Sequence, residues 1–322
     1  MTNIGDIGET ALVKRILEQL GDGQAIAGDD AAICPPSLGG YVFATDSLVE
    51  NVDFDFAWAT WRDVGAKVAA VNLSDMAAMG ARPKSLVLTL GCRRDDRVAD
   101  LLRLVRSAVR VCKTHGAMIV GGDITSTKGP LFVTLAATGD VDVRYAPLRR
   151  YRGTPGDVIM VSGDLGGAAA GLLCLQHGMK NHRALVKRQL QPTPRVALGL
   201  ALGRSGLVSS CTDISDGLAS DLAHVIAPGC GAEIDLNTIP LARGVRAVAK
   251  KFDRTPLALA LAGGEDFELL WTMPPSFVKR LMQRLDVKVS VIGRIVNKPG
   301  IVWHGDGCEI PKHGFEHFGV QS

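Results

Sequence analysis

The chain is poor in aromatic residues, sparing with histidine and cysteine, and close to charge balance. Phe, Trp and Tyr make up 5% of its 322 residues and do not interleave with basic runs, which argues against a base-stacking platform for nucleic acid. Lys and Arg number 36 against 33 Asp and Glu, and a formal charge of +3 is too small to point to nucleic acid or a membrane surface. Asp, Arg or Lys interrupts every apolar run before it reaches the roughly 20 residues of a membrane span. The first residues, Met1 to Asp6, lack the basic and then apolar pattern of a signal peptide. The seven cysteines (Cys34, Cys92, Cys112, Cys174, Cys211, Cys230 and Cys308) are odd in number, scattered and without a Cys-x-x-Cys. Neither a disulfide framework nor a zinc site is expected, and reduced thiols in a cytoplasmic protein are the plain reading. Of the seven histidines, His313 and His317 are four apart, but they flank Gly314 near the terminus and read as a surface loop rather than a transition-metal site. No Gly-x-Ser-x-Gly elbow is present, and no cysteine has a nucleophile context.

What is present is a globular composition, 47% hydrophobic and 21% charged, in a chain long enough for about two domains. Helical periodicity covers Glu9 to Leu20, Arg62 to Met79 and Val98 to His115; in the last, Leu101, Leu104, Val105 and Ala108 face inward. Strands are expected at Tyr41 to Ser47, Lys84 to Gly91, Met118 to Val120 and Leu131 to Thr138. Arg149 to Asp157 is basic and turn-rich, and marks a junction between domains 1–148 and 149–322. Beyond it, strands are expected at Val158 to Ser162, Leu207 to Thr212, Phe267 to Thr272 and Val287 to Ile295, with a helix over Asp216 to Ile226. Helices alternating with strands predict an α/β (α+β) protein.

The chemistry lies in acidic motifs beside small residues: Gly28-Asp29-Asp30, Thr45-Asp46-Ser47, Asn72-Leu73-Ser74-Asp75, Gly121-Gly122-Asp123, Asp213-Ile214-Ser215-Asp216 and Gly263-Gly264-Glu265-Asp266. Carboxylates on tight backbone suit Mg²⁺, which keeps several waters and takes one or two carboxylates plus phosphate oxygens. Taken singly, each motif has a plainer reading. Asn72 and Asp75 share a helix face, Asp30 and Asp213 could cap helices, Asp216 is favoured by a helix dipole, and Gly121-Gly122-Asp123 could be a tight turn at a strand end. Gly163-Asp164-Leu165-Gly166-Gly167 suggests a phosphate loop but fits neither the Walker nor the dinucleotide pattern. All the plain readings would have to hold together, which favours a magnesium–nucleotide enzyme.

In order, the motifs resemble those of the thiamine-monophosphate kinases, in the superfamily of aminoimidazole ribonucleotide synthetase. The resemblance runs from Gly8-Glu9 through the acidic motifs, Asn72 to Ala81, Pro155-Gly156-Asp157, Gly217-Leu218 and Phe267 to Leu270, to Gly314 through Phe318. It implies two α/β domains, with N-terminal domains pairing across a homodimer into a β-barrel-like core. It also implies ATP as co-substrate, several Mg²⁺ ions, and thiamine monophosphate as acceptor. Asp30, Asp46, Asp75, Asp123, Asp213 and Asp216 would ligate the metals, with Thr45 assisting; Asp30, Asp75, Asp123 and Asp216 stand nearest the chemistry. Gly121, Gly122, Arg150 and Ser215 would contact ATP, and Asp53, Glu265 and Phe315 the thiamine end. A substrate phosphate is already nucleophilic, so direct in-line transfer without a phosphoenzyme is expected. One departure stands out: Asp53 occupies the position where the family pattern has histidine, and Asn51 replaces glycine. The alternatives are a related ATP-dependent enzyme acting on another small phosphorylated or amide substrate, and a catalytically silent nucleotide-binding regulator.

Overall fold

A computed structural model describes residues 41–142 and 144–305, with Asn3, Ile7, Leu12, Arg15, Ile16, Glu18, Gln19, Glu309 and Pro311 besides. Asp30 and Phe315 therefore lie outside the described residues, as does most of the N-terminal helix, of which Ile7, Leu12, Arg15 and Ile16 are helical. The chain divides into two compact units, Met1–Met76 with Arg82–Val143, and Ala77–Ala81 with Arg144–Ser322.

The first unit runs β1 (Tyr41–Val49), α1 (Trp61–Ala78), β2 (Arg82–Cys92), α2 (Val98–Thr114), β3 (Met118–Ser126) and β4 (Phe132–Asp140). Its sheet has the order β1-β4-β2-β3; β4 is antiparallel to both neighbours, and the crossover through α2 makes β2 and β3 parallel. Strict alternation on β4 buries Val133, Leu135 and Ala137 and leaves the residues between them half-exposed. Helix α2 buries Val98, Leu101, Leu104, Val105, Ala108 and Cys112, the stripe its periodicity predicts. Gly65 lets α1 cross α2 closely, since an added Cβ would collide with the Leu104 carbonyl. The other sheet face is open: Phe43 is 73% exposed, and Tyr41, Val87 and Met118 join it. Register pairs Phe43 with Thr138, Thr138 with Ser85, and Ser85 with Met118. Among the described residues this sheet ends at β1 and β3 and does not close into a barrel.

The second unit contains β5 (Val158–Ser162), α3 (Gly167–Gln176), α4 (Arg183–Leu190), α5 (Val196–Ser205), β6 (Ser210–Asp213), α6 (Leu218–Asp221), β7 (Gly231–Asp235), α7 (Val245–Lys251), α8 (Pro256–Leu261), β8 (Leu269–Met273), α9 (Val278–Met282), β9 (Val289–Val296) and β10 (Gly300–His304). The sheet order is β10-β7-β9-β5-β8-β6, antiparallel except where β10 meets β7. One core packs Ile159, Val161, Leu270, Ile292 and Ile295 from the sheet against Leu218, Leu222 and Val225. A second joins Cys174 of α3, Leu185 of α4 and Val245, Val248 and Ala249 of α7. The expected helix over Asp216 to Ile226 is shorter than its periodicity predicts: α6 begins at Leu218 and passes into a 3₁₀ turn, Leu222–Val225.

Candidate functional site

In the first unit, Thr45 and Asp46 sit in β1, with Thr45 Oγ1 donating to the Leu135 carbonyl at 3.0 Å. The Asp46 backbone N–H donates to Asn72 Oδ1 at 3.1 Å, and buried Asn72 also gives its Nδ2 to the Val68 carbonyl at 2.9 Å. Asn72 therefore locks β1 to α1, and Asp75 follows it by three positions on the same helix face. Asn72, which shares a helix face with Asp75, is thus a buried structural lock between β1 and α1.

Gly121-Gly122-Asp123 does not end its strand. It lies inside β3, which runs on to Ser126, and Gly122 is required there because an added Cβ would collide with the Leu88 carbonyl. Around Gly121 there is open space on the side a Cβ would occupy, and Asp123 is exposed. Register places Asp123 in the row Ser47–Thr134–Thr89–Asp123, next to the row holding Asp46. Three strand spacings, about 14 Å, part β1 from β3, so Asp46 and Asp123 of one chain belong to different groups.

Asp53 has a defined local task. Its Oδ2 accepts the Val49 N–H at 2.8 Å, its carbonyl accepts Lys67 Nζ at 2.9 Å, and Asn51 adopts φ 67° between them. The carboxylate closes the turn that leaves β1. Phe54, Phe56 and Trp61 form a ring cluster beside it, with centroids 5.3 Å and 4.4 Å apart.

In the second unit, Asp213 is the last residue of β6 and is buried, so it is not a helix cap. The turn after it is laced to the glycine-rich acidic motif: Ile214 N–H donates to the Glu268 carbonyl at 2.8 Å, Phe267 N–H to the Ile214 carbonyl at 2.9 Å, and Glu265 N–H to the Ser215 carbonyl at 2.7 Å. Gly264 must lack a side chain because a Cβ there would strike the Ser215 carbonyl, and Glu265 and Phe267 hold positive φ of 68° and 48°. Glu265 also accepts a hydrogen bond from Gln189 Nε2. Ser215 and Asp216 are thus presented on a braced, half-buried turn. Exposed Arg150 is near enough to weigh on His224, whose imidazole is pushed down by burial and then by Arg150. Tyr151 (φ 61°) donates its N–H to the His224 carbonyl at 2.6 Å.

Gly163 to Gly167 is not a phosphate loop. The N–H groups of Gly166 and Ala168 at the start of α3 are taken by Asp266 Oδ2 and Oδ1, at 2.6 and 3.0 Å. An internal carboxylate occupies the place an anion would take. Burial raises the Asp266 carboxyl to about 7. Sequence reasoning assigned no role to Asp221, Asp266, Glu268 or Arg195; their hydrogen-bond partners lie 4 to 106 residues away, and all but those of Asp221 lie beyond any local window.

The candidate donors are oxygen only, set on strands β1, β3 and β6, on helix α1 and on the turn after β6, without sulfur or imidazole, and this fits Mg²⁺. Among the described residues no group of three or more His, Cys, Asp or Glu converges as a ready-made cage.

The AIR synthase related protein N-terminal domain matches residues 28–141, and the C-terminal domain of the same group matches residues 154–305. The thiamine-monophosphate kinase of Haemophilus influenzae is 36% identical over 97% of this chain and 98% of its own length. The chain belongs to the thiamine-monophosphate kinase family. A solved family structure from Stenotrophomonas maltophilia superposes with a TM-score of 0.81 at 34% identity, covering 93% of this chain and 97% of that one. Another, AaThiL complexed with AMPPCP and TMP, gives a TM-score of 0.77 at 28% identity and covers 99% of each chain. The two-domain fold expected from the motifs is therefore the family's fold.

Proposed function

We propose that this chain transfers the γ-phosphoryl group of ATP to the phosphate of thiamine monophosphate, yielding thiamine diphosphate and ADP. One observation carries the reading: oxygen donors stand on well-anchored backbone in both units, Asp46 and Asp123 on strands, Asp75 on α1 and Asp216 on the braced turn after β6, in a chain matched over nearly its whole length by a thiamine-monophosphate kinase. The AaThiL complex with AMPPCP and TMP supports the same pair of ligands for this family.

Asp46 and Asp75, Asp123, and Asp213 with Asp216 would hold several Mg²⁺ ions, joined by Asp30 and assisted by Thr45. When bound, Mg²⁺ neutralises phosphate charge so that two anionic substrates can approach. The chain's own residues do the rest. Gly121 and Gly122 bare the β3 backbone, Ser215 presents its hydroxyl and N–H on the braced turn, and Arg150 adds a cation for the triphosphate. Glu265 and Phe315 serve the thiamine end, with the backbone of the turn closed by Asp53. The acceptor oxygen is already anionic, so no general base is required and transfer proceeds in line without a phosphoenzyme.

Because the Asp53 carboxylate closes its own turn, its presence in place of histidine is a local structural exchange and does not by itself argue for another acceptor. The sheet face bearing the exposed apolar residues Tyr41, Phe43, Val87 and Met118 is uncovered among the described residues, which supports a homodimer with these faces opposed. The test is ADP release measured with thiamine monophosphate against a panel of other phosphorylated metabolites. Turnover confined to thiamine monophosphate is expected; equal or greater turnover with another phosphate ester would overturn the assignment.

A further inference from the structure

Asp221 is fully buried, yet it is neither in an ion pair of hydrogen-bonding length nor among the residues so far given a role. An ionised carboxylate in such a place is costly unless its oxygens are used. Asp221 Oδ2 accepts two backbone N–H groups, those of Asp216 at 3.0 Å and Gly217 at 3.1 Å. The side chain at the last residue of α6 thus reaches back to fasten the two residues that precede the helix. Oδ1 makes no hydrogen bond, and its nearest basic neighbour, His224 Nδ1, stands 3.6 Å away.

The fastened turn contains a strained step. Gly217 sits at φ 108°, where L side chains are strained, and an added Cβ would lie 2.7 Å from the Leu261 carbonyl. No side chain of the ordinary capping position serves α6, since that position is Gly217 itself. Upstream, the Ser215 carbonyl is held by Glu265 N–H at 2.7 Å. Ser215 and Asp216 are therefore gripped from two sides, by the glycine-rich motif and by Asp221. Packing does not call for a carboxylate here. Leu218, Leu222 and Val225 on the same segment supply its apolar core contacts.

We propose that Asp221 is a positioning residue: its buried carboxylate fixes the Asp216–Gly217 backbone and thereby sets how Ser215 and Asp216 meet the metal–nucleotide complex. This rests on the reading of Asp216 as a metal ligand given above. Asp221→Ala removes both acceptors, whereas Asp221→Asn keeps one oxygen in reach of the two amides. The probe is Mn²⁺ with a non-hydrolysable ATP analogue, titrated by electron paramagnetic resonance, so no turnover is needed. D221A, checked for folding by circular dichroism, should weaken Mn²⁺–nucleotide binding about tenfold, with D221N within about threefold of the parent. In turnover assays the half-saturating Mg²⁺ should rise with D221A while KM for thiamine monophosphate stays put.

Folded D221A with unaltered Mn²⁺ affinity would overturn the proposal, as would D221N and D221A equally impaired. Should D221A fail to fold, amide hydrogen exchange on the parent decides. The Asp216 and Gly217 amides should be protected as strongly as neighbouring core amides, and fast exchange there would overturn the proposal. A parent enzyme that ignores thiamine monophosphate but binds Mn²⁺–nucleotide would sink only the acceptor assignment. Failure to bind Mn²⁺–nucleotide would sink both.

Discussion

Arg195→Ala should destabilise the second unit severely. Glu268 is buried at the head of β8, and its carboxylate accepts Arg195 Nε at 2.7 Å on Oε2 and Arg195 Nη2 at 2.5 Å on Oε1. Ser162 Oγ, at the end of β5, donates to Glu268 Oε2 at 2.6 Å and accepts the Leu269 N–H at 2.9 Å. Gly163 follows with φ 59°, and a Cβ there would run into the same carboxylate. Removing the guanidinium strands a buried charge that keeps one hydroxyl donor. Breaking a buried pair in this way costs about 3–5 kcal/mol, well above the ~0–1 kcal/mol of a surface pair. In a unit of this size each kcal/mol moves the melting temperature by roughly 2–4 °C, so a fall of about 10 °C is expected by calorimetry or circular dichroism at pH 8. Arg195→Ala with a shift under about 2 °C at pH 8 would refute the reasoning and make the pair a surface ornament.

Three further outcomes are expected. The Asp266 carboxyl, raised to about 7 from an ordinary 3.8 chiefly by burial, binds its proton more tightly when folded. Its contribution to stability is therefore fully present below the unfolded value and falls as pH rises toward about 7. Melting temperatures of parent minus Asp266→Asn should decline between about pH 4 and pH 7, the window between the two values, and a flat difference would contradict this. Asp53→His forfeits the Val49 N–H contact at a cost of about 1 kcal/mol in denaturant melts. Its turnover of thiamine monophosphate should be retained or raised, and a tenfold loss in folded protein would restore Asp53 as a substrate contact. Phe43→Asp, on the open face of the first sheet, should shift the sedimentation coefficient from dimer to monomer; an unchanged value would place the interface elsewhere.

Much of this was legible in the chain. Helix α2 begins at Val98 and buries the stripe that its periodicity marks, and β5 spans Val158–Ser162 as its β-branched run suggests. These elements owe their boundaries to local propensity and to apolar spacing. The glycines of β3 misled, because Gly121-Gly122 reads as a turn locally but serves a close approach to β2. Helices α4, α5, α7 and α8 and strands β7 and β10 carried no separate signal, being short and set by packing in the second unit. At the site, the order of the acidic motifs identified the family, while the division of labour among them needed coordinates. In the sequence Asn72 is marked only by sharing a helix face with Asp75; in the structure it ties Asp46's backbone to α1. Asp266 caps a helix 98 residues upstream, a relation no window of sequence can contain.

The most direct test of the account follows the phosphorus itself. With γ-labelled ATP, Mg²⁺ and thiamine monophosphate, label should appear in thiamine diphosphate in step with ADP, with none retained on the protein and with inversion at a chiral γ-phosphorus. Asp216→Asn should slow that appearance by about a hundredfold or more while the fold persists. ADP formed without labelled thiamine diphosphate, or label trapped on the protein, would contradict the account.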